Sequence, residues 1–217
     1  MALLKEFCAE NMEHVEAALA AGAGRIELCD NLAVGGTTPS AGVVEAAVAA
    51  VRAHGAAVMV MIRPRGGDFA YSAAELAMMR TDIAVTLDYG PTGVVFGCAR
   101  DGRLDVPAAE ELLACVREHG GADVQVTFHM AFDAIAPEHQ LAAIDWLAEH
   151  GVTRILTHGG VAGTPIADNL ARLRELVAHA DSRITILPGA GITWENAEAV
   201  AEAVGVAEVH GTKIVKL

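Results

Sequence analysis

Arg25-Ile26-Glu27-Leu28-Cys29 alternates polar and apolar residues over the length of a β-strand, and both of its faces are informative. Ile26 and Leu28 share one face, whereas Arg25, Glu27 and Cys29 share the other. Strands covered by helices turn their apolar face outward, so this parity sends two charges and a thiol toward the inside of a closed sheet. Seven comparable β-branched runs occur at about 3–8, 57–63, 93–97, 124–129, 154–157, 184–188 and 207–210, separated by Ala/Leu/Glu/Arg-rich stretches of helical composition. Eight βα units in one chain predict an α/β fold: a TIM-type (β/α)8 barrel occupying residues 1–217 as a single domain. An open dinucleotide-binding sheet is disfavoured, because Gly22 and Gly24 precede a strand instead of following one.

The same parity places Glu6 and Cys8, Met61 and Arg63, Gln125, Thr127 and His129, and Glu208 and His210 inside the barrel. Such an interior is unusually polar, and the deeper residues Glu6, Arg25, Glu27 and Glu208 are expected either to neutralise one another or to serve a site. Helix starts are expected at Thr38-Pro39, at a capping box from Ser72 to Glu75, at Thr164-Pro165 and at Thr193. Only Gly211 to Leu217 follow the last strand. That predicts a missing or shortened last helix and exposed apolar surface between the last and first units, suited to a homo-oligomer, dimer or tetramer.

The chain has 217 residues, 53% hydrophobic, with 28 acidic residues against 15 basic ones and a net charge of -13. Its scattered basic residues disfavour nucleic acid as a partner, and the lack of a long uninterrupted apolar run predicts no membrane association. Four cysteines without an export signal read as reduced thiols and imply a cytoplasmic location. Lys5, Lys213 and Lys216 are the sole lysines, so the positive charge is mostly arginine, the side chain suited to gripping carboxylate or phosphate.

Five strand-end segments hold most of the remaining information: Arg25 to Leu32, Gly35 to Ser40, Met61 to Phe69, Thr127 to Asp133 and Pro188 to Ile192. Together with Val95-Phe96-Gly97 and Leu156-Thr157-His158-Gly159, they resemble, in order and over nearly the whole chain, the copper homeostasis protein CutC family. The resemblance implies a cytosolic TIM-type barrel, usually oligomeric, linked to copper tolerance, with no established reaction. Three departures stand out: Met130 occupies the position of a family arginine, Ala190 that of a glycine, and the usual extension after the last strand is lacking.

Two readings of the rim follow. In the first, Cys8 and Cys29, at matching depth on strands about 5 Å apart, bind Cu(I) as soft thiolate ligands, with His129, His210 or Met61 adding a third. Small buried thiols are equally at home as packing residues. In the second, the barrel is a metal-independent enzyme acting on a small phosphorylated or carboxylated metabolite. Arg63 and Arg65, with Asp68, would frame the anion site, and Gly189, Gly191 and His210 would complete it. His129 would be general acid or base, oriented by Asp133 or Glu27. Structural alternatives are a buried pairing of the arginines with Asp68, a tight turn at the glycines, and a satisfied core histidine at 129. A Schiff-base aldolase is disfavoured because Lys213 is the nearest candidate and lies beyond the last strand, and no His-x-His follows the first strand to suggest a metallohydrolase.

Overall fold

A computed structural model describes residues 2–161 and 163–217. Eight parallel strands form the barrel: β1 (Leu4–Glu10), β2 (Arg25–Cys29), β3 (Ala57–Met61), β4 (Gly93–Phe96), β7 (Gln125–Phe128), β8 (Arg154–Thr157), β9 (Thr185–Pro188) and β10 (Glu208–Gly211). A two-residue hairpin, β5 (Ala99–Arg100) with β6 (Arg103–Leu104), interrupts the βα rhythm after β4. The helices are α1 (Val15–Ala20), α2 (Ala41–His54), α3 (Ala73–Asp88), α4 (Val106–Gly120), α5 (Pro137–Glu149), α6 (Leu170–Ala180) and α7 (Ala197–Val204).

The ladder runs β10-β1-β2-β3-β4-β7-β8-β9. The last strand therefore pairs with the first, Leu4 opposite Glu208 and Phe7 opposite Gly211. The seam expected between the last and first units lies instead between β9 and β10, which are neighbours without a ladder. No helix follows β10 among the described residues, as expected. The apolar surface there is nevertheless covered, because Ile214 and Val215 fold back into the core and Trp194 N–H donates to Lys213 O.

The capping box at α3 is reciprocal: Ser72 Oγ accepts from Glu75 N–H and Glu75 Oε2 from Ser72 N–H. The other three starts fall later than expected. Thr38 makes hydrogen bonds with the backbone of Arg63, and α2 begins after Ser40. A 3-10 turn (Ile166–Asn169) separates Thr164 from α6, and a turn held by Asn196 Oδ1 separates Thr193 from α7.

Strand parity is as the sequence predicts. Ile26, Leu28, Val58, Val60, Val94 and Phe96 pack outward against the helices, and Cys8, Cys29, Met59, Met61 and Val95 cluster inside. Below that cluster is a charged floor. Arg25 Nε donates to Glu6 Oε2, Arg25 Nη2 donates to Glu208 Oε2 at 2.6 Å, and Arg154 Nε lies 3.4 Å from the same Glu208 oxygen. Arg154 also donates to Gln125 Oε1 at 2.7 Å. Glu27 is not in this lattice; it lies one layer higher with His210 and Cys8.

Two glycines let the inner layers close. A Cβ on Gly93 would meet Gln125 O at 2.1 Å, and one on Gly97 would meet His129 Nδ1 at 2.6 Å. We expect Gly93→Ala to cost about 2–3 kcal/mol in chemical denaturation, because backbone must move to admit the methyl group. Gly42→Ala, in α2 with nothing within 4 Å of its Cβ, should instead stabilise by about 0.5–1 kcal/mol. Arg25→Met strands Glu6 and Glu208 and should cost about 3–5 kcal/mol in the same measurement. Part of that loss should return on adding Glu6→Gln.

Candidate functional site

The C-terminal strand ends open onto a cavity of about 380 Å3. Its polar lining comes from β1 (Cys8), β2 (Glu27, Cys29), the turn after β3 (Arg63), the residue after β7 (His129) and β10 (His210). Its apolar lining includes Leu32, Val34, Met61, Phe69, Met130 and Leu156. The parity of Arg25-Ile-Glu-Leu-Cys is what brings Glu27 and Cys29 here while Arg25 stays in the floor.

One half of the cavity is a compact acid–thiol–imidazole cluster. His210 Nδ1 is 2.8 Å from Glu6 Oε1, and its Nε2 is 3.6 Å from Glu27 Oε2. Cys8 Sγ and Cys29 Sγ lie 3.2 and 3.7 Å from that Glu27 oxygen. The thiols are not level, as had been expected: Cys8 pairs with Glu27 and Cys29 with Glu10, two residues further along. Diagonal placement still lets the side chains converge, and one ligand atom from each of Cys8, Glu27 and Cys29 lies within 4.8 Å of the others. Glu6, Glu27 and His210 form a second such triad.

Burial would raise the Glu6 carboxyl, but the His210 hydrogen bond and the Arg25 charge outweigh it and hold Glu6 down to about 2. Burial pushes Glu27 well above the carboxylate range. The hydrogen bond with Cys29 draws the Cys8 thiol well below its ordinary value, and Cys29 is raised in turn. Burial would strip the His210 proton, yet the acidic groups around it, Glu27 foremost, keep it on.

The other half is built on Arg63 and His129. The Arg63 guanidinium donates to the carbonyls of Val34, Gly35 and Gly36 from Nη1 and of Gly67 from Nη2, and it stacks over Phe69 at 4.8 Å. Its Nε–H has no hydrogen-bond partner among the described residues. His129 Nδ1 accepts from Ala131 N–H, which places the ring proton on Nε2, and Nε2 is also without a partner. Burial, reinforced by the Arg63 charge, lowers this imidazole to about 3, so the ring is neutral.

The remaining sequence candidates lie elsewhere. Arg65 donates to Asp68 Oδ1 at 3.0 Å and to Glu75, stacks on Tyr71, and fixes the loop into α3 outside the cavity. Asp133 accepts from Thr157 Oγ1 and from His158 N–H at 2.8 Å, and so holds the turn after β8; it does not touch His129. Gly189 N–H donates to Thr157 O within the ladder region, and Gly191 and Ala190 both take left-handed φ, 80° and 59°. A left-handed alanine costs about 1–2 kcal/mol, consistent with the glycine expected there.

Arg154, Thr157 and His158 were not among the candidates. Applying the parity of β2 to Arg154-Ile-Leu-Thr157 would have placed Arg154 and Leu156 inward. Nothing local marks His158, whose ring bridges Gly189 O at 3.2 Å and Thr164 O at 3.0 Å across two loops.

Comparison with known proteins agrees with the motifs. A family model described as CutC family matches residues 3–215. A CutC family protein of Enterococcus faecalis is 54% identical over 98% of this chain and 100% of its own length. A human protein named copper homeostasis protein cutC homolog is 39% identical over 95% of this chain and 72% of its own. A crystal structure bearing the name copper homeostasis protein CutC, from Streptococcus agalactiae, superposes with TM-score 0.93 at 42% identity, covering 98% of this chain and 100% of that one. The barrel, the inward parity and these matches lead to one assignment: the chain belongs to the CutC family.

Proposed function

We propose that the protein binds Cu(I) in the cytoplasm through Cys8 and Cys29, as part of copper homeostasis. The observation that carries this reading is the convergence of two thiols and the Glu27 carboxylate within 4.8 Å at a cavity wall. Sulfur ligands select a soft monovalent ion over hard divalent ones, and a two-thiol corner suits the low coordination number of Cu(I). His210 lies beside the corner, 3.6 Å from Glu27, and is the nearest imidazole able to complete it. Met61, in the same inner cluster, offers a thioether. The names of relatives point the same way: the human and mouse proteins are called copper homeostasis protein cutC homologs.

The anion-binding enzyme reading draws less support in its phosphate form. Arg65 is held by Asp68 and Glu75, and Gly189 N–H is already donated to Thr157 O.

Titration of Cu(I) against a calibrated chelator should give about one equivalent per chain. The Cys8→Ala/Cys29→Ala variant should lose affinity by more than about 100-fold, since losing an outer-shell partner alone costs about 10–100-fold. Cys98→Ala and Cys115→Ala, whose thiols lie in the outer core, should bind as the parent does. Undiminished affinity in the double variant, with its circular dichroism intact, would overturn the proposal.

A further inference from the structure

Arg63 is only 4% exposed, and no carboxylate among the described residues forms an ion pair with it. The other two guanidiniums inside the barrel are treated differently: Arg25 reaches Glu6 and Glu208, and Arg154 reaches Glu208. Carbonyl oxygens satisfy four of the contacts of Arg63 but carry no net charge. A buried cation without a counter-ion is costly, so a site that keeps one is shaped for an anion.

A cuprous ion does not account for this half of the cavity. One ion at the thiol corner fills a small part of about 380 Å3. It also leaves unexplained the partnerless Arg63 Nε–H and the partnerless His129 Nε2–H, whose side chains, 4% and 3% exposed, line the same space. Both are donors, and one is cationic. Around them the lining is apolar: Leu32, Val34, Met61, Phe69, Met130 and Leu156. Small-molecule sites have this make-up, a mostly apolar volume with a few placed polar groups.

We propose that the cavity binds a small monocarboxylate with an apolar tail, its oxygens on Arg63 and His129 and its tail against Phe69, Met61 and Leu156. One guanidinium matches one negative charge. A phosphate dianion would bring a second charge for which the cavity's other cation, His210, is already engaged by Glu6 and Glu27, and the Gly189 N–H is donated to Thr157 O. This inference does not depend on copper.

The test uses the full-length, metal-free protein with butyrate and benzoate as probes, against butyramide, benzamide and inorganic phosphate at matched ionic strength. The carboxylates should raise Tm by about 3–6 °C at ten times their Kd, while the amides and phosphate should not. Arg63→Gln should abolish the shift. Because that variant also removes four backbone contacts, a second pair leaves the arginine in place: Met130, half-buried at the cavity wall, changed to Arg should tighten butyrate about fivefold, and Met130→Glu should weaken it about fivefold. Cys115→Ala, outside the cavity, should bind butyrate as the parent does, and because every arm uses metal-free protein the copper and carboxylate readings fail separately. No response to either carboxylate, equal response to the amides or phosphate, or indifference to the charge at position 130 would overturn the proposal.

Discussion

The contact between Arg25 and the two carboxylates Glu6 and Glu208 is the condition on which the rest of the barrel interior rests. Side chains of β1, β2, β8 and β10 that would be valine or leucine in an ordinary barrel are charged here, and each charge is tolerable only while its partner is in place. Arg154 extends the floor to β8 and Gln125 to β7. The lattice therefore ties five strands together from inside, across the β9–β10 seam where the backbone ladder is interrupted. Helices covering the outside supply the hydrophobic burial; the floor supplies register and closure.

Above that floor the electrostatics divide. Glu6 and His210 face one another as opposite charges at close range, and the burial-raised Glu27 carboxyl joins the thiols of Cys8 and Cys29 in the same proton-sharing group. Across the cavity, Arg63 is held by carbonyl oxygens and the Phe69 ring with no carboxylate among the described residues paired to it, next to an imidazole held neutral. Gly97 makes this second half possible, because any side chain there would collide with the His129 ring. One wall is thus internally balanced, and the other is left with an excess of positive charge.

Most of the barrel was legible because parallel strands carry their signal locally. Five residues such as Arg25-Ile-Glu-Leu-Cys declare both the strand and which side chains face inward, and the eight runs fall where the strands do. The seam was not legible, since strand length and composition do not say which neighbours forgo hydrogen bonds, nor that Ile214 and Val215 return to cover the end. Within the site, parity brought Cys8, Glu27, Cys29, Arg63, His129 and His210 to one cavity. It erred on depth, because the stagger of parallel strands sets Cys29 against Glu10 and not against Cys8. Asp133, Arg65 and His158 were beyond it: loop side chains choose partners from distant segments, and Asp133 is fixed by Thr157 and His158 rather than by the nearby His129.

The two proposed ligands meet in a single charge balance. Cu(I) between two thiolates would exchange one positive charge for the protons the pair still carries, and Cys8, whose thiol is already drawn well below its ordinary range, brings the smaller share of them. The change in charge at the corner is then at most one unit, and it falls in the cavity that Arg63 lines. Were copper and a carboxylate both bound, any coupling between them would be reciprocal by linkage, each changing the other's affinity by the same factor. Among the described residues Glu6, Arg25, Arg154, Glu208 and His210 each have an ion-pair partner inside the barrel, and Arg63 at the rim has none.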